Sequence, residues 1–166
     1  VLIQEPMSKN NIPFADSLEE DFRVIPTGLP QLDTLTGIGG IPFKRLSEIS
    51  GPWSSGKTSL ALMIVASAQK QGIKCIWYDA EYAFENSYAR TLGVDTSKIG
   101  LIRTLYAEEG LDLILEHLNK TQKTLVVIDA IGALHPREEA EKDSGSRTIG
   151  TQSSLVARFC RKSLPL

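Results

Sequence analysis

Residues 46–70 read LSEISGPWSSGKTSLALMIVASAQK, and within them Gly51-Pro52-Trp53-Ser54-Ser55-Gly56-Lys57-Thr58 has the spacing glycine, four residues, glycine-lysine-threonine. That is the spacing of a phosphate-binding loop. Glycines allow successive backbone N–H groups to turn inward around phosphate oxygens. Lys57 can reach β- and γ-phosphates, and the Thr58 hydroxyl can ligand Mg²⁺. A helix starting near Lys57 would aim its positive dipole end at the same phosphates, with Ser59 in its first turn. Flanking residues agree. Leu46–Ser50 alternates as a strand does, and Ser59–Lys70 has Leu60, Met63, Ile64 and Ala68 at helical spacing. Strand, glycine loop and helix predict a nucleotide-binding α/β fold.

A chain of 166 residues with 42% apolar and 23% charged side chains is long enough for one domain with a real core. A net charge of −2 exerts no overall pull toward nucleic acid or an acidic membrane. Its distribution is uneven: after Asp143 come Arg147, Arg158, Arg161 and Lys162 with no acidic residue. This strip is either a solvated face or a local anion-binding surface. Cys75 and Cys160 stand far apart without a metal-binding or redox spacing. With no signal peptide, transmembrane run or lipidation motif in view, the expected compartment is cytoplasmic, with no membrane partner.

The remaining chain alternates strand and helix patterns. Val1–Gln4 looks like a strand that pairs elsewhere in the fold or on another subunit, so residues 1–23 read as an N-terminal arm and 24–166 as the core. Ile73–Tyr78 is an apolar strand running into Asp79-Ala80-Glu81, and Gly72 should end the helix before it. Ser87–Leu92 reads as a helix stopped by Gly93, Ile99–Arg103 as a strand, and Leu111, Ile114, Leu115 and Leu118 form a helical core stripe. Thr124–Asp129 is an apolar strand that should deliver Asp129 beside Mg²⁺ at Thr58. Glu138–Gly150 is poorly periodic and expected to be a mobile loop, with a last helix over Thr151–Ser163. The alternation predicts a mostly parallel sheet flanked by helices.

Hydrolysis of a bound nucleotide needs a group to orient water. Glu81, just past a strand end, is the leading candidate, and its alternative is a surface loop residue. Asp79 would share its face only while the chain stays extended.

From about Val24 onward the chain resembles the RecA family of recombinases. The resemblance rests on PTGLPQLDTLTGIGGIP, LSEISGPWSSGKTSLAL, YDAEYAFENSYARTLGVD, LVVIDAIGAL and the spacing of Pro136 to Gly150, in the family's order. It implies a RecA-like phosphate-loop ATPase core in which Glu81 polarises the attacking water and Tyr88 stacks on adenine, a residue that would otherwise read as packed helix. It also implies that Glu85 lies near the adenine amino group. Phe84 and Asn86 stand where leucine and proline are usual, and Trp53 where the family has glutamate. Glu139–Gly150 falls at the family's first DNA-binding loop, with Ile149 as an apolar wedge, Gly150 after it, and Arg161 and Lys162 as a basic pair. Lys142, Ser144 and Arg147 depart from the family's loop.

The implied activity is an ATP- and Mg²⁺-dependent recombinase filament on single-stranded DNA that pairs it with double-stranded DNA in homologous recombination and repair. A RecA-like regulatory or helicase-related switch, and an inactive remnant, are the alternatives. The family continues past this point with a further strand, carrying a glutamine, between the phosphate-loop strand and the Asp129 strand. The expectation is therefore an incomplete core with little ATPase activity on its own.

Overall fold

The computed structural model describes residues 23–120, 123–141 and 150–164. The expected arm strand Val1–Gln4, and Arg147 and Ile149 of the expected DNA loop, lie outside these residues. In chain order the elements are β1 (Val24–Ile25), α1 (Pro30–Leu35), β2 (Ile41–Pro42), α2 (Lys57–Lys70), β3 (Lys74–Asp79), α3 (Asn86–Thr91), β4 (Ile99–Ile102), α4 (Ala107–Lys120), β5 (Thr124–Asp129), α5 (Arg137–Ala140) and α6 (Thr151–Ser163). β4, β3 and β5 form a parallel sheet in that order, and β1 pairs antiparallel with β2.

The period-two geometry of β3 builds both halves of the core. Cys75 and Trp77 face one side, buried with Leu62, Val65 and Ala68 of α2, Ala89 of α3 and Val94. Ile76 and Tyr78 face the other, buried with Leu111 and Ile114 of α4 and Leu155 and Phe159 of α6. A central strand covered on both faces is why Cys75–Tyr78 is a continuous apolar run rather than an alternating one.

Glycine ends the helices on the first face. Gly72, at φ 71°, donates to Gln69 O at 3.0 Å, and Ile73 N to Ala68 O at 3.1 Å. Gly93, at φ 91°, repeats the pattern, with Gly93 N on Arg90 O at 3.0 Å and Val94 N on Ala89 O at 3.1 Å. Each pair satisfies carbonyls that the helix end leaves open, and each turns an apolar residue back into the core.

One expected strand is absent. Leu46–Ser50 carries no ladder, and all five residues are exposed. β5 pairs with β3 along one edge, and among the described residues no strand pairs with its other edge. Alternation makes a segment compatible with a strand, but only hydrogen bonds from a neighbouring backbone make it one. The stretch thought to be wholly loop, Glu138–Gly150, begins inside the short helix α5.

Candidate functional site

β3 and β5 end in register, Asp79 opposite Asp129, so the carboxyl edge of the sheet carries two aspartates side by side. Their fates differ. Asp79 is 2% exposed and takes up internal hydrogen bonds, whereas Asp129 reaches out to the phosphate loop.

That loop is folded for a bound anion. Ser54 and Gly56 have φ of 57° and 88°, and Gly56 is the N-cap of α2. Gly56 O accepts the first helical hydrogen bond, from Leu60 N at 2.9 Å. With the left-handed turn ending at Gly56, the first amides of α2 have no side-chain cap and remain available to an anion. Lys57 Nζ donates to Gly51 O at 3.0 Å and to Pro52 O at 2.8 Å, and so lies across the mouth of its own loop. A phosphate would compete with those two carbonyls for the ammonium.

Thr58 Oγ1 donates to Asp129 Oδ2 at 2.9 Å. One hydroxyl and one carboxylate fit Mg²⁺, which takes few protein ligands and completes its octahedron with phosphate oxygens and water. One residue along, Ser59 Oγ and Tyr88 Oη share a hydrogen bond at 2.6 Å, which fixes the Tyr88 ring, 42% exposed, beside the start of α2. Glu85 is exposed at the N-cap of α3, where Ser87 Oγ donates to its carboxylate. Trp53 stands 92% exposed on the loop.

Glu81 is exposed in the turn after β3, two residues beyond the Asp79–Asp129 register pair. Ala80 N donates to Asp129 O at 2.9 Å, so that turn begins bonded to the aspartate that holds Thr58. The structure thus gathers Lys57, Thr58 and Asp129 directly, joins Ser59 to Tyr88, and places Glu81 at the same edge of the sheet. Gly150 is the N-cap of α6, with φ 79°, and Arg161 and Lys162 are exposed in its last turn. Gly150 and the Arg161–Lys162 pair thus lie at opposite ends of α6.

Two structural roles were not read from the sequence. Asp79 accepts backbone N–H bonds from Ala83 and Phe84 at 2.9 and 3.0 Å. Gln152 Nε2 donates to Ile131 O, Gly132 O and Leu134 O at 3.0, 3.1 and 2.9 Å, tying the start of α6 to the segment after Asp129. The only sequence signal for Asp79 was its place at a strand end, and Gln152 had none.

A parallel sheet covered on both faces, with a glycine loop opening a helix and an aspartate ending the adjacent strand, defines the phosphate-loop class of α/β proteins. Comparison narrows the class. The family described as RecA N-terminal domain matches residues 3–164, and the chain belongs to this family. It is 43% identical over 144 residues to Protein RecA of Sulfurovum sp. (strain NBC37-1), covering 86% of this chain and 41% of that protein. With Protein RecA of Aquifex pyrophilus the identity is 39% over 142 residues, covering 86% and 41%. With that of Wolinella succinogenes it is 44% over 139 residues, covering 83% and 39%. The chain therefore spans about two fifths of the length of these relatives. Among the described residues, no helix is long and apolar enough to cross a membrane.

Proposed function

We propose that the chain is the nucleotide-binding half of an ATP-dependent DNA recombinase, acting in the cytoplasm as a filament on single-stranded DNA that pairs it with double-stranded DNA. The observation that carries the reading is the 2.9 Å Thr58–Asp129 hydrogen bond at the head of a helix whose Lys57 spans the phosphate loop. Lys57 and the first amides of α2 take the phosphate charge, including the part that shifts onto the leaving oxygen as the terminal phosphoryl group departs. Thr58 and Asp129 are the residues that would hold Mg²⁺, which would supply positive charge to offset that of the phosphates. Glu81 accepts a hydrogen bond from the attacking water and directs its lone pair at phosphorus, in line with the departing diphosphate. Tyr88, held by Ser59, stacks on the base, with Glu85 near its amino group. Gly150, Arg161 and Lys162, with Arg147 and Ile149, contact the DNA strand.

Glu81→Gln tests the reading. The amide keeps size and hydrogen bonding but loses the charge that orients water, so ATP binding should persist within a few-fold while turnover falls by about 10²-fold or more. Equal turnover in Glu81→Gln would remove Glu81 from its role. Turnover with no DNA binding at any salt would favour a protein–protein switch instead.

A further inference from the structure

The turn that carries Glu81 is held by a residue outside it. Beyond β3 the chain reverses over residues 80–84, with Tyr82 at φ 57°, a conformation that bulky side chains adopt only when surroundings impose it. Asp79 supplies the inner half of the imposition by accepting from Ala83 N and Phe84 N at 2.9 and 3.0 Å.

Arg103, just past the end of β4, supplies the outer half. Its Nε and Nη2 reach Asp79 Oδ2 at 2.8 and 2.7 Å, and the same Nη2 donates to Phe84 O at 3.3 Å. Its guanidinium carbon lies 5.8 Å from the centre of the Tyr82 ring, and Tyr82 Oη donates to Thr104 O at 3.0 Å. On the inner side, the Phe84 ring meets Trp77 edge-on at 5.4 Å. Ala80, Tyr82, Ala83 and Phe84 are therefore each anchored, while Glu81 makes no hydrogen bond to a described residue. An exposed carboxylate on a fully anchored turn has its backbone aimed and its oxygens left available.

We infer that Arg103 is a positioning residue for Glu81. By binding the buried Asp79 carboxylate and the Phe84 carbonyl together, it fixes the turn that presents Glu81 at the edge of the sheet. The functional half of this inference rests on the hydrolytic role proposed for Glu81, whereas the structural half does not. Arginine suits the task because its planar fork reaches a carboxylate and a carbonyl at once while its face lies on an aromatic ring. Lysine offers a point charge that can satisfy Asp79 but not the other two contacts.

The test compares Arg103→Gln and Arg103→Lys with the parent protein. Amide hydrogen exchange is followed at Ala83 and Phe84, with α2 amides as the internal control, alongside ATPase kcat and KM. Loss of the clasp should speed exchange at Ala83 and Phe84 by at least about tenfold, leaving α2 unchanged. Misplacing Glu81 should lower kcat by about 10–100-fold with KM for ATP within about threefold, since slight displacement of a catalytic group costs that much. Arg103→Lys should recover part of kcat, and it carries the test if Arg103→Gln fails to fold. Unchanged exchange at Ala83 and Phe84 would overturn the inference, as would faster exchange with kcat intact. A parent protein that binds no ATP would sink the function proposed above but not this inference, which exchange at the two amides would then decide.

Discussion

Thr58 Oγ1 and Asp129 Oδ2 are 71 residues apart in sequence and 2.9 Å apart in the structure, joining the head of α2 to the tip of β5. The pair makes a ready contact for a hard divalent cation, with the hydroxyl turned away from its own helix. Thr58→Val removes the hydroxyl suited to Mg²⁺, and Asp129→Asn removes the negative charge of its partner. Either should raise the Mg²⁺ concentration needed for ATP binding by about 10–100-fold, the worth of a charge-assisted contact. Fluorescent-nucleotide titration at graded Mg²⁺ reads the shift, and an unchanged requirement would place the cation elsewhere.

The basic end of α6 should act through charge alone. Arg161 and Lys162 are exposed in its last turn. If both contact phosphates, replacing them by alanine should flatten the plot of log K against log salt for a single-stranded oligonucleotide by about 1.4, at about 0.7 per contact. A slope that does not move would make the strip a solvated face.

Cys75 is buried between α2 and β3, and burial pushes its thiol up from 9.0 to about 11. In the folded protein it should resist a thiol reagent at pH 8, where half-buried Cys160 reacts first. Because the folded value lies above the unfolded one, this group's contribution to stability is full below about pH 9. It is then lost as pH rises through about 11, on the order of 2–3 kcal/mol. Chemical denaturation at pH 8.5 and 10.5, compared between the parent and Cys75→Ala, isolates the effect. A parallel pH dependence in both proteins would refute it.

Gly110 lies on α4 against the Tyr78 ring. A β-carbon there would stand 2.4 Å from Tyr78 Cζ and 2.7 Å from its hydroxyl, which is itself held to Thr104 Oγ1 at 2.9 Å. Gly110→Ala should therefore destabilise the fold by about 1–3 kcal/mol through overpacking, despite alanine's advantage of about 1 kcal/mol in a helix. Urea unfolding measures the difference, and a stabilised variant would show that the ring can move aside.

Features set by neighbouring residues were legible in the sequence. The phosphate loop is built within eight residues, Gly72 and Gly93 end helices through bonds reaching back a few positions, and β5 spans Thr124–Asp129 as read. Family membership was legible for the same reason, since it rests on short stretches in a given order. The failures were non-local. Leu46–Ser50 has a strand's alternation but no described partner, and a ladder is a property of two segments.

Asp79 and Asp129 look alike as strand-ending aspartates, yet one is buried on Arg103 and the other faces the phosphate loop. By itself, the sequence marked the residues expected to meet phosphate, cation and base, because those capacities belong to individual side chains and short backbone turns. Only the tertiary structure showed that Asp79 is taken up by Arg103 and the backbone of Ala83 and Phe84, while Asp129 meets Thr58. Those assignments depend on which strands lie side by side, and hence on contacts between residues far apart in the chain.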